Sequence, residues 1–293
     1  MESTEVNIIS LITNTINTLF SNLFSSIDNT LYSALDDLLF VNTDVINNAQ
    51  LNSILGSNST SSIILIANSL VFGFLLYYSL SYLLSHFTFS EVQKPSQFLF
   101  RLLLCVISIN FSHFFCDRIL FFTSSISLAI RGVGENVFNT SICFSSLIQK
   151  LNSTIVIGGS DFNVFSFAGL TKGFISIGLI NLSFSYALRY IMILVFVLIS
   201  PFAFLSLILT KTSFLFKAWL KLFLSLLFLQ ILVPLILLIV FSLHFSSTDM
   251  FSNLTIIGGI YALTRANSFL REFMGGLSTD VSAGISSMKG FLQ

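Results

Sequence analysis

Residues 62–85 read SIILIANSLVFGFLLYYSLSYLLS, an apolar run without a charged side chain. About 20 apolar residues form a helix long enough to cross the ~30 Å of hydrocarbon in a bilayer, so the run predicts a transmembrane helix. Tyr77, Tyr78 and Tyr82 lie near its end, where aromatic rings suit the membrane–water interface. A lipid-exposed segment must satisfy its backbone polar groups internally, and this stretch therefore commits the chain to helical membrane structure.

The composition of the whole chain agrees with this interpretation. Of its 293 residues, 54% are hydrophobic and only 9% are charged, and the mean hydropathy is +0.91. Soluble domains are about one quarter charged, whereas disordered chains combine low hydrophobicity with high charge. The composition therefore excludes a soluble enzyme and a disordered protein. We predict an all-α fold, a polytopic transmembrane helical bundle of five to seven spans.

Six further apolar runs follow the first, at 98–116, 119–130, 165–187, 190–209, 222–245 and 250–264. The run at 119–130 is short enough to be a third span, a re-entrant segment or the tail of a long second helix. Arg189 is predicted to mark the boundary between two spans, with its side chain near a span end. Pro201 and Pro234 fall inside predicted spans, where proline kinks a helix or ends its regular hydrogen bonding.

The few charges are sorted along the chain, and they predict its orientation. Residues 1–93 contain no Lys or Arg, which is typical of an exported segment because cytoplasmic loops near spans are enriched in Lys and Arg. With the N-terminus outside and seven spans, all thirteen basic residues except Arg118 and Arg189 fall on the inner side. A five-span alternative merges or removes two weak runs and keeps the same ends. We predict a multi-pass protein of the cytoplasmic (inner) membrane with a cytoplasmic C-terminus.

Residues 6–40 form an amphipathic helix that is too polar to span a bilayer. Its apolar side chains recur at steps of three and four, which describe one helical face. We expect this stripe to pack on partner helices or on the rest of its own chain. The candidate interface residues are Ile8, Ile12, Ile16, Leu19, Leu23 and Ile27.

The predicted organisation has three parts. Residues 1–61 form the extracytoplasmic helix and a polar linker, residues 62–274 form the transmembrane helical domain, and residues 275–293 form a cytoplasmic tail. The linker prediction for 41–61 rests on its richness in Asn, Ser and Thr.

We find no arrangement of residues that indicates catalysis, a cofactor or a metal site. The sequence contains no HExxH, GxSxG, Walker or GxGxxG motif and no CxxC pair among its three cysteines. The three histidines lie near predicted span ends or within a span, where interfacial placement explains them. The predicted span interiors contain no carboxylate, which argues against an ion-coupled pump. We expect a protein that is not an enzyme.

Residues 188–221 read LRYIMILVFVLISPFAFLSLILTKTSFLFKAWLK and are the most individual part of the chain. This region resembles the TrbL family, the polytopic inner-membrane subunit of type IV secretion and conjugation machines. The shared features are an apolar span that begins with Arg and has Pro near its end, a short basic loop with an aromatic-Lys element, and another long span. The residues that carry the resemblance are Arg189, Pro201, Lys211, Trp219 and Lys221. The candidate topological or structural residues are Arg189, Pro201, Lys217, Trp219, Lys221 and Pro234.

The resemblance implies a channel or scaffold subunit for DNA or protein translocation. Its partners would be further copies of itself, other membrane subunits and ATPases of the machine, and the lipid bilayer. A DNA or protein substrate would be bound only transiently. The central loop at 131–164 is shorter than the family's usual extracytoplasmic region. Two alternatives stay open, a secondary transporter or permease and a structural subunit of another membrane complex.

Overall fold

The computed structural model describes residues 2–55, 62–88, 94–147, 149, 166–210, 212–243 and 250–274. Within these ranges the secondary structure is helical and contains no strand, which confirms the predicted all-α bundle. The helices are α1 Glu2–Leu39, α2 Thr43–Ile46, α3 Ala49–Leu55, α4 Ile63–Thr88, α5 Pro95–Asn110, α6 Ser112–Phe138, α7 Phe167–Leu205, α8 Ser213–Ser242 and α9 Met250–Met274. Four of them, α4, α6, α7 and α8, are long and apolar enough to cross a membrane. The predicted tail at 275–293 lies outside the described residues.

Helices α5 and α6 follow each other with little interruption at Phe111. Its backbone angles, φ −91° and ψ 1°, leave the α-helical region, but the Phe111 and Phe115 amides both donate to carbonyls four residues earlier. The side chains of Asn110 and Ser112 donate to carbonyls of the preceding turn at 2.8 and 2.7 Å. Such side-chain bonds compete with the backbone ladder and bend helices. The run at 119–130 lies within α6, a separate helix that is by itself long and apolar enough to cross a membrane, which is closer to the third-span alternative than to the tail of a long second helix. The helix runs on to Phe138, so part of the predicted loop at 131–164 is helical.

Helix α7 runs without a break through Arg189, and the boundary predicted there is wrong. The helix has 39 residues, which corresponds to about 58 Å at 1.5 Å per residue. Joining the runs 165–187 and 190–209 removes one of the seven predicted spans and favours the smaller counts. Pro201 lies inside the helix, which ends four residues later at Leu205. Ser200 Oγ donates to the Val197 carbonyl at 2.7 Å, the carbonyl whose helical donor the proline lacks.

Two apolar cores are stacked along α7 and α8. One contains the end of α1, residues 175–186 of α7, residues 229–241 of α8 and α9. The other contains α4, α5, residues 193–205 of α7, Ile208 in the turn after it and residues 219–227 of α8. Arg189 falls between the two sets on α7, and the step between them on α8 falls next to Gln230. The polar side chains of the bundle therefore meet at the level where the two cores join.

Residues 41–55 are not the solvated linker that their composition predicts. Val41, Ile46 and Leu55 are buried within the second core, and the short helices α2 and α3 occupy most of the segment. Asparagine serves here as a cap: Asn42 Oδ1 accepts from the Thr43 amide at 2.7 Å at the start of α2. The remaining linker residues, 56–61, lie outside the described residues.

Candidate functional site at the buried end of α1

The C-terminal end of α1 is enclosed by the bundle. Leu35 and Leu39 have no exposed surface, and the helix stops at Leu39 within the core. The last carbonyls of a helix have no donor from their own helix, so a buried helix end needs donors from elsewhere. Polar side chains of neighbouring helices donate to the Leu39 carbonyl and to the Val41 carbonyl just beyond the helix, and these side chains define the candidate site.

Arg189 of α7 is the first donor. Its side chain is fully buried. Its Nε donates to the Leu226 carbonyl of α8 at 2.7 Å, and its Nη1 donates to the Leu39 carbonyl at 3.1 Å. Among the described residues no carboxylate lies within ion-pairing distance of it. Its charge is met instead by carbonyl dipoles, including the negative C-terminal end of α1. One guanidinium thus connects α1, α7 and α8. Its several N–H donors in one plane can reach two acceptors at once, which a lysine ammonium does less well.

Gln230 of α8 is the second donor. Its Nε2 donates to the Val41 carbonyl at 2.9 Å, two residues beyond the end of α1. Arg189, Gln230 and Tyr186 form a polar layer where the two apolar cores join. Three buried polar atoms of this layer have no hydrogen-bond partner among the described residues, namely Gln230 Oε1, Arg189 Nη2 and Tyr186 Oη. The layer therefore fixes the backbone of residues 39–41 and keeps unused hydrogen-bonding capacity inside the bundle.

Asp36 ties the last turns of α1 to the chain after α6. Its carboxylate accepts from the Phe144 amide at 2.8 Å, the Ser145 amide at 3.2 Å and the Ser145 hydroxyl at 2.7 Å. These amides open a helical turn at residues 144–147, and a carboxylate is favourable at the N-terminus of such a turn. The end of α1 is thus bonded both to α7, through the Leu39 carbonyl, and to the chain after α6, through Asp36.

A cavity of about 350 Å³ lies beside the end of α1, between α6, α8 and residues 40–43. Arg131 of α6 lines it, with Nε donating to the Ile142 carbonyl at 3.0 Å and its guanidinium 4.2 Å from the centre of the Phe40 ring. Gln230 also lines this cavity. The polar residues near α1 therefore combine a structural junction with a space that could hold a small polar group.

The structure places the predicted interface stripe of α1 mostly on the surface. Ile12, Leu19 and Leu23 are 52%, 64% and 52% exposed, and Ile16 is half-buried. The side chains of Ile8 and Ile27 lie outside the described residues. At the end of the helix, Leu35 and Leu39 pack on the chain itself, which is the second of the two predicted alternatives, and packing of the stripe on partner helices stays a prediction.

The predicted residues of α7 and α8 divide into core and surface. Arg189 does not sit near a span end; it is buried in mid-helix, because backbone carbonyls of two other helices receive its donors. Trp219 and Pro234 are buried as well, and Trp219 Nε1 donates to the Phe196 carbonyl of α7 at 3.0 Å. Lys217 and Lys221 are exposed on the first turns of α8. The structure brings Arg189 together with Gln230 and the end of α1, but not with the two lysines.

Sequence reasoning missed Arg131 and Asp36 as members of the site. The charge pattern places Arg131 only among the basic residues of the inner side and gives Asp36 no role. Asp36 does lie on a predicted helix close to its end, and a carboxylate at that place signals a tertiary contact, because it opposes the dipole of its own helix. No comparable signal marks Arg131. Its partners are the Ile142 carbonyl and the Phe40 ring, and neither pairing follows from a sequence pattern.

The arrangement offers hydrogen-bond donors and positive charge rather than acid–base or metal chemistry. Among the described residues no group of three or more His, Cys, Asp or Glu side chains could hold a metal ion. No protein family model, no curated protein and no solved structure matches this chain.

Proposed function

We propose that this chain is a non-enzymatic, multi-pass channel or scaffold subunit of a type IV secretion machine, similar to the TrbL family, which assembles with copies of itself. One observation carries the proposal: α1 is fixed to the bundle at one end and presents an apolar stripe to its surroundings over the rest of its length. The TrbL-like features at 188–221 supply the class of machine, and energy would come from partner ATPases.

The exposed part of α1 is suited to protein contacts. Leu11 and Phe20 extend the exposed apolar surface of Ile12, Leu19 and Leu23. Contiguous apolar patches on a protein surface mark interaction sites. The helix has no basic residue, and interfacial helices that lie on anionic lipid are rich in Lys and Arg on their polar face. Equivalent helices of neighbouring copies are therefore the better partners for the stripe.

Cysteine cross-linking tests self-association through this stripe. In a C143S background, I16C and L23C place a thiol on the apolar stripe, whereas N14C places an exposed thiol off it. We expect a short bis-maleimide to produce dimers and higher species with the two stripe variants and little with N14C. The absence of inter-subunit products in membranes, or equal products from all three variants, would contradict assembly through α1.

Co-purification tests the kind of machine. The chain, extracted from its native membrane in mild detergent, should bring several membrane subunits and an ATPase with it in mass spectrometry. Recovery of this chain alone would contradict the secretion-subunit proposal, even if the cross-links of α1 form.

The proposed location is the inner membrane with α1 outside and the C-terminus in the cytoplasm. It rests on the distribution of Lys and Arg, with Lys217 and Lys221 at the inner side. Labelling of intact spheroplasts with an impermeant maleimide should modify N14C and spare K217C. Both thiols are placed at exposed positions, so the reverse pattern would refute the orientation.

A secondary transporter is the second candidate function, and the fully buried Arg189 favours it. An ionisable side chain inside a membrane bundle is a candidate substrate or ion site, and Arg189 lies where the two apolar cores join. A transporter should purify as one or two copies without partners and move a substrate across vesicles. The stripe cross-links and the partner ATPase should then both be absent.

A further inference from the structure

The cavity beside α1 has a polar interior and an apolar mouth. Its lining includes Arg131, the hydroxyl-bearing Ser124 and Ser125, and the apolar Phe121 and Leu128. Phe121 and Leu128 are 53% and 70% exposed. They lie on α6, one of the helices long and apolar enough to cross a membrane, so the mouth opens on a surface that lipid would cover.

Arg131 is held in place but is not neutralised. Its Nε donates to the Ile142 carbonyl, and its guanidinium lies over the Phe40 ring. Among the described residues no carboxylate lies within ion-pairing distance of it. A guanidinium that is fixed at Nε and lacks a counter-ion is suited to a phosphate or carboxylate, which it binds through parallel N–H donors.

The nearest carboxylates have other partners or lie on the surface. Asp36 is saturated by the amides and hydroxyl of residues 144–145. Asp44 accepts from the side-chain amide of Asn42 at 3.1 Å. Glu135, one turn beyond Arg131 on α6, is exposed to solvent or headgroups. These carboxylates lower the positive electrostatic potential in the region, but they do not cancel the charge of the Arg131 guanidinium.

We propose that this cavity binds the phosphate of a membrane glycerophospholipid. The phosphodiester contacts the Arg131 guanidinium, the glycerol and headgroup oxygens lie near the Ser124 and Ser125 hydroxyls, and the acyl chains leave past Phe121 and Leu128. Ser127 Oγ and Gln230 Oε1 in the cavity wall have no partner among the described residues, and they add polar character to the headgroup region. The inference does not depend on the secretion proposal.

Lipid retention by the detergent-purified chain tests this site. Native mass spectrometry with phosphatidylglycerol and with diacylglycerol of the same acyl chains should show selective retention of the phospholipid. R131Q removes one charge-assisted contact and should lower phospholipid binding about tenfold or more. R118Q is the matched control, because Arg118 lies on the same helix, stacks on Phe114 and is exposed; it should bind as the native chain does.

A second variant guards against misfolding of R131Q. S125E places a carboxylate at an exposed position of the lining, where its charge repels phosphate without removing a native contact. It should lose phospholipid binding while its thermal midpoint stays native. Equal binding of phospholipid and diacylglycerol would overturn the proposal, as would unchanged binding in S125E. Displacement of the lipid by millimolar inorganic phosphate would overturn the lipid as ligand and assign the site to a free anion.

Discussion

Replacing Arg189 by Met should release the end of α1 without unfolding the bundle. Met keeps the length of the side chain but removes the charge and both donors. The Leu226 carbonyl lies inside α8 and retains its helical donor, so it loses only a second bond. The Leu39 carbonyl has Arg189 as its only donor among the described residues, because the Thr43 amide donates to Asn42 Oδ1 instead.

The expected magnitude follows from that one carbonyl. A hydrogen bond to a charged group contributes about 1.5–3 kcal/mol, so local opening around residue 39 should become roughly 10- to 150-fold more frequent. Global stability is a poor readout, since removing a buried charge also removes its desolvation cost. R189K keeps the charge, but one ammonium cannot reproduce the fork that reaches two helices, and we expect an intermediate effect.

Hydrogen exchange in detergent, read on peptides covering residues 36–47, measures this opening directly. Exposed Lys217 provides the control, and K217M should exchange at the native rate. Unchanged exchange at 36–47 in R189M would refute the reasoning. Equal acceleration throughout α4 would refute it too, because the bond would then support the whole bundle and not the end of α1.

Three further substitutions and one control, G132A, test other contacts of the bundle. Q230L removes the amide bond to the chain after α1 and should cost about 0.5–1.5 kcal/mol of local opening energy by exchange; its effect should be non-additive with that of R189M, because both side chains hold the same three residues. W219F removes the indole bond to α7 but keeps the ring packing, and should lower the free energy of thermal unfolding by about 1 kcal/mol. G134A should destabilise the α6–α8 contact by about 1–3 kcal/mol, since its methyl group would collide with Leu238. G132A on the same helix meets open space and should be neutral or slightly stabilising in the same melt.

Hydropathy and periodicity predict the helices of this chain well. The predicted helix at 6–40 is α1, Glu2–Leu39, and the longest apolar run, 222–245, lies largely within α8, Ser213–Ser242. Such elements follow from local residue patterns. The prediction fails where a charge interrupts a run, as at Arg189, because a charge at a span end and a charge buried in mid-helix look alike in one dimension.

The site could not be predicted because its acceptors are backbone carbonyls far along the chain. Arg189 donates to carbonyls 37 and 150 residues away. Every residue has a carbonyl, so no side-chain pattern singles out Leu39 or Leu226. The composition of the stretch after α1 gave a wrong prediction for a similar reason. Only a few of its residues, such as Val41 and Ile46, are buried, and the surrounding Asn and Thr residues determine its average polarity.

The contact between Gln230 and Val41 spans 189 residues of chain. Ribosomes add about 5–20 residues per second, so roughly 10–40 s separate the emergence of the two partners. During that interval the end of α1 has neither of its donors from α7 and α8. Helix α1 is therefore made well before the side chains that hold its end, and this end stays without their two hydrogen bonds until α8 is complete. A companion protein that covers the end of α1 would protect it during that interval.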